Sequence, residues 1–146
     1  MEYSTLDKLG VRVSRLGFGC MRFPLTAEGK IDEPRAAAML DTAYKAGVTY
    51  YDTAYFYHQH TGEAFLGRAM KRYPRDTFYL ATKMPMSIVE SLDHAKEIFE
   101  GQLAALQTDY VDFYLLHGVN GERWKQAQEM GIVDFLLEMQ LSLIHI

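Results

Sequence analysis

The sequence predicts an α/β fold built on a parallel sheet. Three observations carry this. Short apolar and aromatic runs alternate with helical patterns about four times, as strand–helix units do. One of these runs, Tyr110 to Leu116, is mostly apolar along its length, as expected of a strand covered on both faces. The 146 residues are 49% hydrophobic and 23% charged, a globular composition at about one domain's length.

The elements follow in order. Residues 2–15 read as a hairpin: Tyr3 to Leu6 and Arg12 to Ser14 flank Asp7-Lys8-Leu9-Gly10, a turn with a late glycine. Leu16-Gly17-Phe18-Gly19 reads as a buried run whose glycines suit close approach to the backbone. A loop, CMRFPLTAEGKI, leads to a helix. Asp32 is its N-cap, Glu33 and Pro34 fill the first turn, and Gly47 stops it. Its apolar stripe holds Ala36, Leu40, Ala43 and Tyr44. A strand, Val48 to Tyr51, ends in Asp52, and Tyr57 lies in the loop beyond. A short helix runs from Glu63 to Lys71. After a turn at Tyr73-Pro74-Arg75-Asp76, the strand Thr77 to Thr82 ends in Lys83. The clearest helix is Leu92 to Leu106, with Ala95, Ile98, Phe99, Gln102, Leu103 and Leu106 in one stripe. The strand Tyr110 to Leu116 ends in His117. Residues 122–140 hold helix interrupted at Gly131.

Alternation of this kind implies right-handed crossovers, but periodicity does not separate an open doubly wound sheet from a barrel. The phosphate fingerprint GxGxxG is missing: Gly17-Phe18-Gly19 is followed by Cys20-Met21-Arg22, which points away from that kind of dinucleotide site.

Composition excludes several classes. A net charge of -4 without a basic cluster speaks against a nucleic-acid surface. The single cysteine, Cys20, excludes an internal disulfide framework and a CxxC metal site. The N-terminal ten residues lack the build of a signal peptide, and no apolar run approaches the roughly 20 residues that span a bilayer. A reducing, cytoplasmic setting is the expectation.

Polar residues at the C-terminal ends of parallel strands are where barrel chemistry resides. Asp52, Tyr57, Lys83 and His117 form such a set. A phenol titrates near 10 and is a poor acid at neutral pH, but a neighbouring ammonium favours the phenolate. A carboxylate beside that ammonium keeps it charged and in place. An imidazole can orient a carbonyl oxygen by hydrogen bonding. Together these groups suit protonation of a carbonyl oxygen while its carbon is attacked. Each has an ordinary alternative: Asp52 as a cap, Tyr57 as one of ten tyrosines, Lys83 as a solvated strand end, His117 as a polar cap. Their conjunction at successive strand ends carries the reading. His58 and His60 make a weak case for a metal, and none is expected. Cys20 reads as a small residue beside a ligand loop rather than a reactive thiol.

The stretch GVTYYDTAYFYHQHTGEAFLGRAM resembles the aldo-keto reductase signature around the catalytic aspartate and tyrosine. Tyr79 to Lys83 resembles that family's lysine strand, and Leu106 to His117 its histidine strand. Leu16 to Arg22 resembles its first strand and loop. The match runs from residue 2 to about residue 140. It implies a (β/α)8 barrel closed at its bottom by the hairpin, and NADPH-dependent reduction of aldehydes or ketones to alcohols, with NADH as the alternative donor. By that match Tyr57 is the general acid and Lys83 the cation that assists it. Asp52 holds Lys83, and His117 orients a small carbonyl substrate. Gly19, Cys20 and Met21, with Asp52, lie beside the nicotinamide. The wording GFGCMR and the pair Tyr57-His58 are similar to a bacterial branch whose members often carry a C-terminal iron–sulfur segment. Its cysteines would lie outside these residues.

A barrel of this kind takes about 250 residues, and the pattern here passes through about four strands. The expectation is therefore residues 1–140 as the N-terminal half of a barrel, inactive by itself. A non-catalytic barrel module used for binding or regulation is the alternative reading. The last six residues, LSLIHI, do not resemble a continuation; one codon choice for them resembles a transposon end sequence, so they are read as a non-native tail.

Overall fold

A computed structural model describes residues 1–140; the tail reading falls on residues 141–146, outside the described residues. Strands β1 (Tyr3–Leu6) and β2 (Val11–Ser14) form the expected antiparallel hairpin. Four parallel strands follow: β3 (Phe18–Gly19), β4 (Tyr50–Asp52), β5 (Tyr79–Pro85) and β6 (Phe113–His117). Helix α1 (Glu33–Lys45) joins β3 to β4, and α2 (Gly62–Met70) joins β4 to β5. Helix α3 (Leu92–Leu106) joins β5 to β6. Helices α4 (Gly121–Glu129) and α5 (Ile132–Gln140) come last.

The strand order in the sheet is the sequence order, β3-β4-β5-β6. A doubly wound sheet reverses its order at a switch point; this one does not reverse, which is the winding of a barrel. The alternative left open by periodicity is thereby decided.

Local chemistry sets most boundaries. The Asp32 carboxylate accepts from the Arg35 N–H at 3.2 Å at the start of α1. Gly47, at φ 87°, turns the chain out of it. Ser91 accepts from the His94 N–H and starts α3. Gly131, at φ 72°, divides α4 from α5.

The hairpin is fastened to the N-terminal end of β4. Ser14 and Thr49 exchange hydrogen bonds, each side-chain oxygen accepting from the other residue's N–H at 2.9 Å. The Tyr3 hydroxyl donates to the Gly47 carbonyl. Nearby, Arg75 donates to Asp112 and to the carbonyls of Phe78 and Tyr110, tying the starts of β5 and β6 together. Between sheet and helices, Leu40, Tyr51, Leu66, Met84 and Phe99 are fully buried.

Three expectations shift. Leu16 is 62% exposed rather than buried, and it lies before β3, which is only two residues long, Phe18–Gly19. Lys83 lies inside β5, two residues before its end, rather than at the end of the strand, and its side chain is only 13% exposed. The strand predicted over 110–116 starts at Phe113 and runs to His117, with Val111 and Asp112 buried on the approach.

Candidate active site

Register brings the site together. In the parallel ladder Gly19 pairs with Asp52, and Asp52 with Ala81. On the other side Pro85 pairs with His117. The C-terminal ends of β3, β4, β5 and β6 therefore lie side by side.

Lys83 is the hub. Its Nζ donates to Asp52 Oδ1 at 2.7 Å, to the Thr53 carbonyl at 2.6 Å and to the Tyr57 hydroxyl oxygen at 3.4 Å. An ammonium has three donors, so all three are engaged. Since Tyr57 accepts from Lys83, its own O–H remains free to donate elsewhere. The His117 ring stands edge-on to the Tyr57 ring, centroids 6.1 Å apart. Burial first, then the Lys83 ammonium, push the His117 imidazole below the ordinary histidine range, with Asp52 opposing. Among the described residues, His117 Nδ1 is buried without a hydrogen-bond partner. All four predicted catalytic positions thus converge.

Tyr57 is held by an unusual turn. His58, Gln59 and His60 all have left-handed backbones, at φ 52°, 54° and 68°, a conformation that disfavours residues bearing a Cβ. Strain of this kind concentrates at functional sites. The turn is closed by Thr61 Oγ1 donating to the His58 carbonyl at 2.6 Å and by the Gly62 N–H donating to the Tyr57 carbonyl. The His58 ring stacks on Phe23, and its Nε2 lies 3.1 Å from the Cys20 carbonyl and 3.3 Å from the Phe23 nitrogen. One ring nitrogen is either donor or acceptor. A protonated Nε2 serves Cys20, and a bare one serves Phe23. Either way His58 ties the Tyr57 loop to the loop after β3.

That loop contains the other predicted residues. Cys20 is fully buried, and burial above all raises its thiol far out of the reactive range. A reactive thiol at this position is thereby disfavoured. Met21 is 45% exposed in the turn Cys20–Arg22. Among the described residues, apart from its own chain neighbours, no heavy atom lies within 4 Å of where a Cβ on Gly19 would stand, so open space adjoins the end of β3 beside Asp52.

Two contributions escaped the sequence reading. The Thr53 carbonyl, a main-chain acceptor, has no residue signature. Gln102 was placed in the apolar stripe of α3, yet it is 1% exposed and hydrogen-bonded to the strand that carries Lys83. A lone polar residue in an apolar stripe was the available signal.

Comparison with known proteins follows the same lines. The profile of the Aldo/keto reductase family matches residues 15–140. Aldo-keto reductase YhdN of Bacillus subtilis (strain 168) is 34% identical over 125 residues, covering 80% of this chain and 38% of that protein. The holo form of aldo-keto reductase AKR11C1 from Bacillus halodurans superposes with a TM-score of 0.79. It is 32% identical, over 99% of this chain and 48% of the other. An aldo-keto reductase from Klebsiella pneumoniae in complex with NADPH superposes with a TM-score of 0.69. It is 25% identical, over 92% of this chain and 47% of the other. The chain thus spans less than half the length of these relatives.

Proposed function

The chain belongs to the aldo/keto reductase family, and from that premise we propose that it carries the proton-donating side of an NADPH-dependent reduction of aldehydes or ketones to alcohols. The observation that carries the reading is the Lys83 ammonium, bonded to Asp52 and Thr53 and reaching the Tyr57 oxygen. Among the described residues the parallel strands bring Asp52, Lys83 and His117 to neighbouring positions, with Tyr57 in the loop after β4, which supports this reading.

Tyr57 gives its proton to the carbonyl oxygen as the carbon is reduced. The phenolate left behind lies beside Lys83, whose charge stabilises it as it forms. Asp52 holds and orients Lys83. His117 stays neutral, and its buried, unpartnered Nδ1 is better left without a proton than as an unsatisfied N–H. The ring proton then sits on Nε2, which donates to the substrate oxygen and sets its position.

The nicotinamide fits this arrangement in one visible respect, the open space that Gly19 leaves beside Asp52. Gly19, Cys20, Met21 and Asp52 would hold it. When bound, NADPH supplies the hydride. Cys20 is the one cysteine in 146 residues, so an iron–sulfur centre, as in the similar bacterial branch, would take its ligands from elsewhere.

The test is carbonyl-dependent consumption of NADPH by the full-length protein, with NADH as comparison. Replacing Tyr57 by Phe is expected to lower kcat by about 10²–10⁴-fold with little change in melting temperature. A Tyr57→Phe protein as fast as the wild type would overturn the reading. An inert wild type would favour the non-catalytic barrel module.

A further inference from the structure

On the helix side of β5, behind Lys83, lies a buried polar cluster that the proton transfer does not use. Glu63 of α2, Thr82 of β5 and Gln102 of α3 are 5%, 0% and 1% exposed. Thr82 Oγ1 donates to Glu63 Oε1 at 2.5 Å, and Gln102 Nε2 donates to the same oxygen at 2.7 Å. Gln102 Nε2 also donates to the Lys83 carbonyl at 3.1 Å. The Tyr114 hydroxyl of β6 donates to Gln102 Oε1. The Gln102 amide nitrogen thus faces three oxygens, Glu63 Oε1, the Lys83 carbonyl and, at 3.2 Å, Thr82 Oγ1, while its oxygen faces the Tyr114 hydroxyl. Burial raises the Glu63 carboxyl above the ordinary range, while Thr82, Gln102 and Lys83 oppose that.

Such a cluster is costly to bury unless each member is satisfied, so its location needs a reason. Strand β4 ends at Asp52, opposite Ala81, whose carbonyl accepts from the Thr53 N–H. In a strand, carbonyls two residues apart point the same way. The Lys83 carbonyl therefore points past the end of β4, where the ladder has no further strand residue to offer. Gln102 supplies the missing donor.

We propose that Gln102 is a positioning residue for Lys83. With Glu63, Thr82 and Tyr114 it fixes the Lys83 main chain beyond the last ladder bond to β4. The Lys83 ammonium can then meet Asp52, the Thr53 carbonyl and Tyr57 together. The catalytic consequence rests on the reductase reading above; the positioning itself does not.

The experiment compares wild type, Gln102→Met and Tyr114→Phe in the full-length protein. Gln102→Met keeps length and removes the amide. Tyr114→Phe removes the hydroxyl that donates to Gln102, with its weak contact to Met84 Sδ, and serves if the first variant fails to fold. The first readout is hydrogen exchange of the Lys83 ammonium, followed by nitrogen-15 NMR. Exchange is expected to quicken about tenfold in Gln102→Met and less in Tyr114→Phe, as a loosened segment opens more often. The second readout is carbonyl reduction, where kcat is expected to fall about tenfold with KM for NADPH unchanged. Unchanged Lys83 exchange in a folded Gln102→Met protein, or in Tyr114→Phe should Gln102→Met not fold, overturns the proposal. A wild type without reductase activity would sink the functional reading alone, and the exchange measurement would still decide the positioning role.

Discussion

The Lys83 ammonium lies 2.7 Å from the Asp52 carboxylate, across two neighbouring parallel strands. The Lys83 side chain is 13% exposed and that of Asp52 31%. Breaking a fully buried pair costs roughly 3–5 kcal/mol; this one is partly solvated on the acid side. Asp52→Asn is expected to destabilise the protein by about 2 kcal/mol, in the range of hydrogen bonds to charged groups. Urea denaturation measures it. A loss near zero would show that the pair is screened by solvent.

His117 yields a pH prediction. Its folded-state value lies below that of the free imidazole, so between the two the unfolded chain binds more protons. Stability is therefore full above about 6.5, the ordinary histidine value. It declines as pH falls from there toward the lowered folded-state value. His117→Asn should flatten this part of the stability–pH curve relative to wild type. In an NMR titration, a His117 midpoint at or above that of free imidazole would contradict the assignment.

Two glycines should respond oppositely to alanine. A Cβ on Gly67 of α2 would stand 2.5 Å from the Leu106 carbonyl oxygen and 2.7 Å from that of Ala105. Backbone cannot yield there, and Gly67→Ala is expected to cost about 3 kcal/mol, despite alanine's better helix propensity. Gly101 of α3 has no atom within 4 Å of its Cβ position, so Gly101→Ala should stabilise by about 0.5–1 kcal/mol. Thermal melts of both variants decide whether α2 and α3 pack this closely.

The turn after Tyr57 can be loosened in two ways. His58→Ala removes the stack on Phe23 and the Nε2 bond to the loop after β3. It should cost about 1–2 kcal/mol and lower kcat for carbonyl reduction. Gln59→Gly relieves a residue at φ 54°; left-handed strain of about 1–2 kcal/mol exceeds the glycine's added chain entropy. That variant should melt higher than wild type. Equal melting of all three proteins would refute a strained, tethered turn.

What could be read without coordinates was what local chemistry encodes. Asp32 and Gly47 bound α1 because cap and left-handed exit act within a few residues. The stripe of α3 gave its span, Leu92–Leu106, correctly. The short β3 was misjudged because a strand's length depends on its neighbours: Leu16 is apolar, but among the described residues the ladder to β4 begins only at Phe18.

The chain's own order of residues determined the α/β class, the hairpin and the helix limits to within a residue or two, and it singled out the four residues that converge at one end of the sheet. These follow from capping, periodicity and motif, which operate over short stretches. Tertiary structure decided three other matters. It set the unreversed strand order. It brought Asp52, Thr53 and Tyr57 to one ammonium across 26 to 31 residues of chain. It also turned Gln102 from a position in a stripe into a donor for Lys83. Each depends on ladder register and on where a neighbouring strand stops, and no local interaction encodes either.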